Sequence, residues 1–154
     1  MPLEIERKFL VVSDDYQRNA KSVNIKQAYL SVDENMAIRV RIEGIQASIN
    51  IKSKKSERVN YEFEYIIPLD EAQSLIRMSS YIVIKKTRHV VEYGGKMWEV
   101  DVFHSDNEGL TVAEIELDEE NEVFDIPPWL GEEVTSDYRY LNSNLAKNPF
   151  CSWQ

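Results

Sequence analysis

Cysteine is nearly absent from this chain. Cys151 alone rules out an internal disulfide framework and any cysteine-based metal site. Histidine is equally scarce: His89 and His104 are far apart and lack partners at ligand spacing. No apolar run approaches the roughly 18 residues of a membrane span. The acidic, alternating start is unlike a secretory signal. There is no repeat, low-complexity tract or linker, so a single domain over residues 1–154 is expected, in the cytoplasm and away from membranes. Positive charge is in deficit: 18 basic against 27 acidic residues give a formal net charge of −9. The overall field would repel nucleic acid, and no nucleic-acid partner is expected. Anion binding stays open if the basic residues gather in one place.

What the chain has in plenty is alternation. Period-2 patterning predicts strands at 2–12, 25–31, 36–43, 46–54, 60–67, 82–93, 96–103 and 111–117. Gly94-Gly95 marks a hairpin turn. Helices are predicted at 70–79 after Pro68, at 118–124 with Asp118 as a cap, and at 137–146 with Ser136 or Asp137 capping. Eight strands in a small domain must manage their edges, and closure into a barrel does so. The expected fold class is therefore α+β, dominated by an eight-stranded antiparallel closed barrel with a few flanking helices.

One phase of these strands carries charge. It holds Glu4, Glu6 and Lys8, then Arg39 and Arg41, Lys52 and Lys54, Glu62 and Glu64, Lys86 and Arg88, Glu99 and Asp101, and Glu114 and Glu116. The other phase is mostly apolar, as in Ile38, Val40 and Ile42 or Tyr61, Phe63 and Tyr65. Two arrangements fit. Either the apolar phase fills the barrel and the charges face water, or the charges line a tunnel and the apolar phase packs outward. Segregation of sign by strand tilts the balance toward the second, because a solvated face would interleave signs and favour Thr and other β-formers.

A charged tunnel implies a ligand. Arg39, Arg41, Lys52, Lys86 and Arg88 offer forked and point-charge donors to several phosphoryl groups. Glu4, Glu6, Glu62, Glu114 and Glu116 offer hard oxygens to Mg²⁺ or Mn²⁺. Eight acids against seven bases leave this lining close to neutral, too weak to hold a polyanion unaided. A divalent cation would reverse that locally, so the composition points to metal and polyphosphate together.

The ordered segments Glu4-Ile5-Glu6-Arg7-Lys8, Arg39-Val40-Arg41, Ile51-Lys52-Ser53, Glu62-Phe63-Glu64, Lys86-Thr87-Arg88, Val100-Asp101-Val102-Phe103, Glu114-Ile115-Glu116 and Trp129–Thr135 resemble the triphosphate tunnel metalloenzyme, or CYTH, superfamily. The first resembles its ExExK signature. The length and the ending GEEVTSDYRYLNSNLA resemble its compact bacterial branch, whose members favour inorganic tripolyphosphate. The resemblance implies an inward-charged tunnel and metal-dependent hydrolysis of a phosphoanhydride bond. It adds Lys8 to the phosphate-holding set, and it gives Asp101 either a place in the metal shell or the orientation of a basic residue. It also implies a Tyr29 placed beside Lys52. Lys52, with its pKa lowered among cations, is then the expected proton donor to the leaving oxygen, and Lys8 is its competitor. Adenylate cyclase, thiamine triphosphatase and a non-catalytic polyphosphate-binding module are the alternatives. Tyr138 departs from a basic residue common in that branch, which leaves the C-terminal helix's contact with the tunnel mouth open. The outward phase (Ile38, Val40, Tyr61, Phe63) admits a homodimer unless helices 70–79 and 137–146 cover it.

Overall fold

The computed structural model describes residues 2–153. Its strands are β1 (Leu3–Val11), β2 (Lys21–Val32), β3 (Met36–Glu43), β4 (Gln46–Lys54), β5 (Val59–Ile67), β6 (Ile84–Tyr93), β7 (Lys96–Phe103), β8 (Thr111–Leu117) and β9 (Leu130–Glu133). Two α-helices accompany them, α1 (Leu69–Met78) and the single turn α2 (Asn142–Leu145). The strand order is β5-β4-β3-β2-β6-β7-β8-β1, and β5 pairs again with β1, so the first eight strands form a closed antiparallel barrel.

The seam of that barrel is staggered. One edge of β1 pairs with β5 only over Leu3–Ile5, and β9 takes the rest through Phe9 and Val11. This ninth strand was not expected. Its four residues follow Pro127-Pro128 and carry no alternation; pairing with the uncovered edge of β1 is what makes them a strand. At the other end of the chain's hairpins, Gly94 and Gly95 both have positive φ, as a tight two-residue turn requires.

The barrel is inverted relative to an oily-centred one. Its apolar phase packs outward under two coverings, and a third apolar cluster closes one end of the barrel. The first is α1, whose Ala72 and Ile76 lie on Ala28, Val40 and Ala47 of β2–β4. The second is an aromatic cluster outside β1, β7 and β8. Trp98 is fully buried there, with edge-to-face contacts to Phe9, Phe124 and Trp129. The third lies at one end of the barrel, where the inward phase itself turns apolar at Ile84, Phe103 and Val112. Leu145 and Ala146 pack into that end. The C-terminal segment therefore docks on the tunnel and leaves Ile38, Tyr61 and Phe63 half-buried on the outer wall.

Two helix expectations need correction. Residues 118–124 form turns, not a helix. A helix would stack Asp118, Glu119 and Glu122 at repelling i,i+3 and i,i+4 spacings. Instead Glu122 accepts the Asp118 backbone N–H (2.7 Å) and pairs with Lys96, while Glu120 meets Ser56 and Arg58. Residues 137–146 are broken: a 3-10 turn at Tyr138–Tyr140, extended Leu141, then α2. Asn142, Ser143 and Asn144 are weak helix formers, and Asn142 is drawn to partners in the barrel.

The aromatic cluster sets a stability prediction. Trp98→Ala should lower the free energy of unfolding by about 3–5 kcal/mol, read from urea transitions of unchanged slope. A loss below about 1 kcal/mol would mean that Trp98 lies on a wet face.

Candidate active site

Side chains of alternate residues on a strand share a face, and closure turns the charged face inward. The result is a cavity of about 690 Å³ running into the barrel. Twelve of the residues proposed from sequence line it: Glu4, Glu6, Lys8, Tyr29, Arg39, Arg41, Lys52, Glu62, Lys86, Arg88, Glu114 and Glu116. Asp101 does not. It is buried behind the lining, with both oxygens engaged. Arg88 donates to it in a fork (Nε to Oδ1 2.8 Å, Nη2 to Oδ2 3.0 Å), and Lys86 Nζ donates to Oδ2 at 2.8 Å. Asp101 thus anchors two cations, the orienting role of the two that the resemblance allows, and stands outside the cavity lining.

The acidic wall centres on Lys52. Its Nζ lies 2.8 Å from Glu4 Oε1, 3.6 Å from Glu62 Oε2 and 3.9 Å from Glu6 Oε1. Among the described residues no three carboxylates converge on one coordination point; the ammonium stands between them. The carboxylates nonetheless suit a hard cation. Glu62 Oε2 is buried and accepts no hydrogen bond among the described residues. Burial and mutual repulsion push Glu4 and Glu116 above the ordinary carboxylate range. Burial, then the neighbouring Glu114, pushes Glu6 up to about 7. Added positive charge would relieve that crowding.

The surroundings of Lys52 differ from expectation. It does not sit among cations with a lowered pKa: burial works against its charge, but Glu6 and Glu4 prevail and hold it above the ordinary lysine value. Tyr29 is the cross-strand partner of Arg39 on β2 and β3. The lysine that is lowered is Lys86, which burial brings to about 7 despite Asp101.

The basic wall is partly unsatisfied. Arg39 Nε is buried and makes no hydrogen bond among the described residues. Arg41 Nε donates to Gln27 Oε1 at 3.1 Å. Burial, then Arg39 and Arg88, lowers Arg41 to about 10. Arg88 Nη1 reaches Glu99 Oε2 at 3.1 Å, and Lys8 lies 3.6 Å from Glu114. Cations crowded together in a low-dielectric cavity favour a multiply charged anion.

Four further residues line the cavity that were not among the proposed site residues. Asn50 and Glu99 share the inward phase of Lys52 and Asp101 and were readable from it. Asn60 follows the same parity as Glu62. Asn142 comes from the C-terminal segment, which no strand pattern could place.

The crowded Glu6 gives a pH prediction for the metal-free protein. Its proton binds more tightly in the folded state, so that contribution is full below about pH 4.5 and lost as pH rises through about 7. Glu6→Gln should match the wild type near pH 4.5 and exceed it by about 2–3 kcal/mol near pH 8, by urea melts in EDTA. Parallel curves would place Glu6 in water.

Comparison with known proteins adds relatives. A CYTH domain model matches residues 2–148. An inorganic triphosphatase of Acetivibrio thermocellus is 44% identical over 151 residues, covering 97% of each chain. One of Nitrosomonas europaea is 34% identical over 149 residues, covering 93% of this chain and 96% of its own. A crystal structure of an inorganic triphosphatase superposes with a TM-score of 0.70 at 33% identity, over 95% of both chains. A Pyrococcus horikoshii protein shares the fold at 22% identity (TM-score 0.60, 77% of this chain and 80% of its own).

Proposed function

This chain belongs to the CYTH family, and from that premise we propose that it is an inorganic triphosphatase, a divalent-metal-dependent hydrolase of tripolyphosphate. The observation that carries the reading is the cavity itself: a wall of carboxylates faces a wall of guanidinium and ammonium groups in a space of about 690 Å³. The inorganic substrate is favoured by what the lining holds. Apart from Tyr29 and the exposed Tyr138, no aromatic side chain among the described residues lines the cavity to stack a base or a thiazole.

Glu4, Glu6, Glu62, Glu114 and Glu116 would hold the cation, Mg²⁺ or Mn²⁺, which when bound supplies charge neutralisation and a lowered pKa for water. The remaining chemistry belongs to the chain. Phosphoryl transfer needs positioning and electrostatic stabilisation above all. Arg39, Arg41 and Arg88 grip phosphate oxygens and stabilise the charge that develops in the transition state. Arg39 Nε, desolvated without a partner, is already prepared for an anion. Lys8 and Lys86 add point charges, with Lys86 and Arg88 held in place by Asp101. Lys52 keeps its proton and donates hydrogen bonds between the acidic wall and the substrate. A lysine held so firmly protonated by Glu6 and Glu4 is a better charge donor than proton donor.

Release of phosphate from tripolyphosphate, ATP and thiamine triphosphate, each with Mg²⁺, Mn²⁺ or EDTA, tests the reading. Metal-dependent release with kcat/KM highest for tripolyphosphate supports it. Cyclic AMP from ATP would make the chain a cyclase. Tight tripolyphosphate binding without turnover would make it a binding module.

A further inference from the structure

Asn142 opens α2, is buried to within a tenth of its surface and lines the cavity. Its Oδ1 accepts two hydrogen bonds, from Gln27 Nε2 at 2.9 Å and from Lys86 Nζ at 3.1 Å. Gln27 is fully buried, and its Oε1 accepts from Arg41 Nε at 3.1 Å. Both amides are therefore fixed in orientation from the Arg41 end. Arg41 can only donate, so it must face the Gln27 oxygen; that turns Gln27 Nε2 toward the Asn142 oxygen, and neither amide is free to flip. The chain of bonds runs Arg41 to Gln27 to Asn142, donor to acceptor at every step. Its one outlet is Asn142 Nδ2. That nitrogen makes no hydrogen bond among the described residues, and Asn142 lines the cavity.

The segment carrying it is firmly seated. Leu145 and Ala146 pack on Ile84, Phe103 and Val112, and the Ile82 N–H bonds the Ala146 carbonyl at 2.9 Å. A neutral donor with a fixed direction, held beside a buried lysine, is suited to a phosphoryl oxygen.

We propose that Asn142 binds substrate: its Nδ2 donates to a phosphoryl oxygen beside Lys86, while its Oδ1, with Gln27, positions Lys86 and Arg41. The inference rests on the triphosphatase reading and adds the C-terminal segment to the site. Asn142→Asp is the discriminating variant. It keeps the shape and an oxygen for Lys86 and Gln27, but replaces the donor facing the cavity with a charged acceptor. The affinity for imidotriphosphate with Mg²⁺, measured by calorimetry, should fall about 100-fold, and the KM for tripolyphosphate should rise about as far. The melting temperature should hold, since Lys86 gains a counter-charge. Wild-type affinity and KM in Asn142→Asp overturn the proposal, and because a new carboxylate repels an anion by charge alone, a loss there supports it only when the neutral Asn142→Ala loses affinity too. If that variant misfolds by circular dichroism, Asn142→Ala decides: KM should rise about 10-fold, and an unchanged KM overturns it. A wild type that neither binds imidotriphosphate nor releases phosphate removes the reading beneath. Normal wild-type turnover with an indifferent Asn142 removes only this inference.

Discussion

Glu4→Gln and Glu116→Gln are each expected to lower metal-dependent phosphate release from tripolyphosphate by a hundredfold or more. Glutamine keeps the size and one oxygen of glutamate but loses the charge that a divalent cation needs. Loss of a mere supporting contact around a metal costs roughly 10–100-fold, and these residues would be direct ligands. Stability should move the other way. Both carboxyls are pushed above their ordinary range, first by burial and then by acidic neighbours, so a neutral amide relieves crowding at neutral pH in the metal-free protein. A variant that is inactive yet at least as stable as the wild type separates a ligand role from a folding role. Turnover within about threefold of wild type for both variants would dismiss the acidic wall as a metal site.

Arg39→Ala should lower kcat/KM for tripolyphosphate by roughly 10²–10³, the usual cost of removing one preorganised donor to a developing charge. Arg39 Nε has no hydrogen-bond partner among the described residues, so the side chain is held for something other than the fold. Arg39→Lys should recover part of the KM but little of the kcat, because an ammonium restores charge without the planar fork. Metal binding by Arg39→Ala, followed by calorimetry with Mn²⁺, should be retained. Loss of metal affinity along with turnover would mean that the two walls collapse together, and that Arg39 acts through structure.

Most of the site was legible because a strand has only two faces. Once Glu4, Glu6 and Lys8 share a phase, as do Arg39 and Arg41 or Glu114 and Glu116, one decision about inside and outside places all of them. Sign segregation and the ordered resemblance carried that decision, and Trp98, Val100 and Ile115 on the outer face agree with it. Parity is silent about pairing, however. The resemblance left Asp101 either in the metal shell or orienting a basic residue, and the pairing across β6 and β7 shows it holding Lys86 and Arg88. Parity put Lys52 among cations, although β1 and β5 bring three carboxylates to it. Both facts depend on which strands are neighbours across a closed sheet, which no single strand reveals. The C-terminal segment was least legible. Its geometry is set by Asn142 and Leu145 finding partners on β2, β6 and β7, against weak local helix propensity.

Both walls project onto a single enclosed axis. A crystal structure of the protein with Mn²⁺ and imidotriphosphate, phased on the manganese anomalous signal, measures this directly. The predicted map has the metal peak among Glu4, Glu62 and Glu116 and the phosphates on Arg39, Arg41 and Arg88, inside the barrel. Manganese and phosphates found only on the outer surface, with the interior side chains still paired to one another, would contradict it.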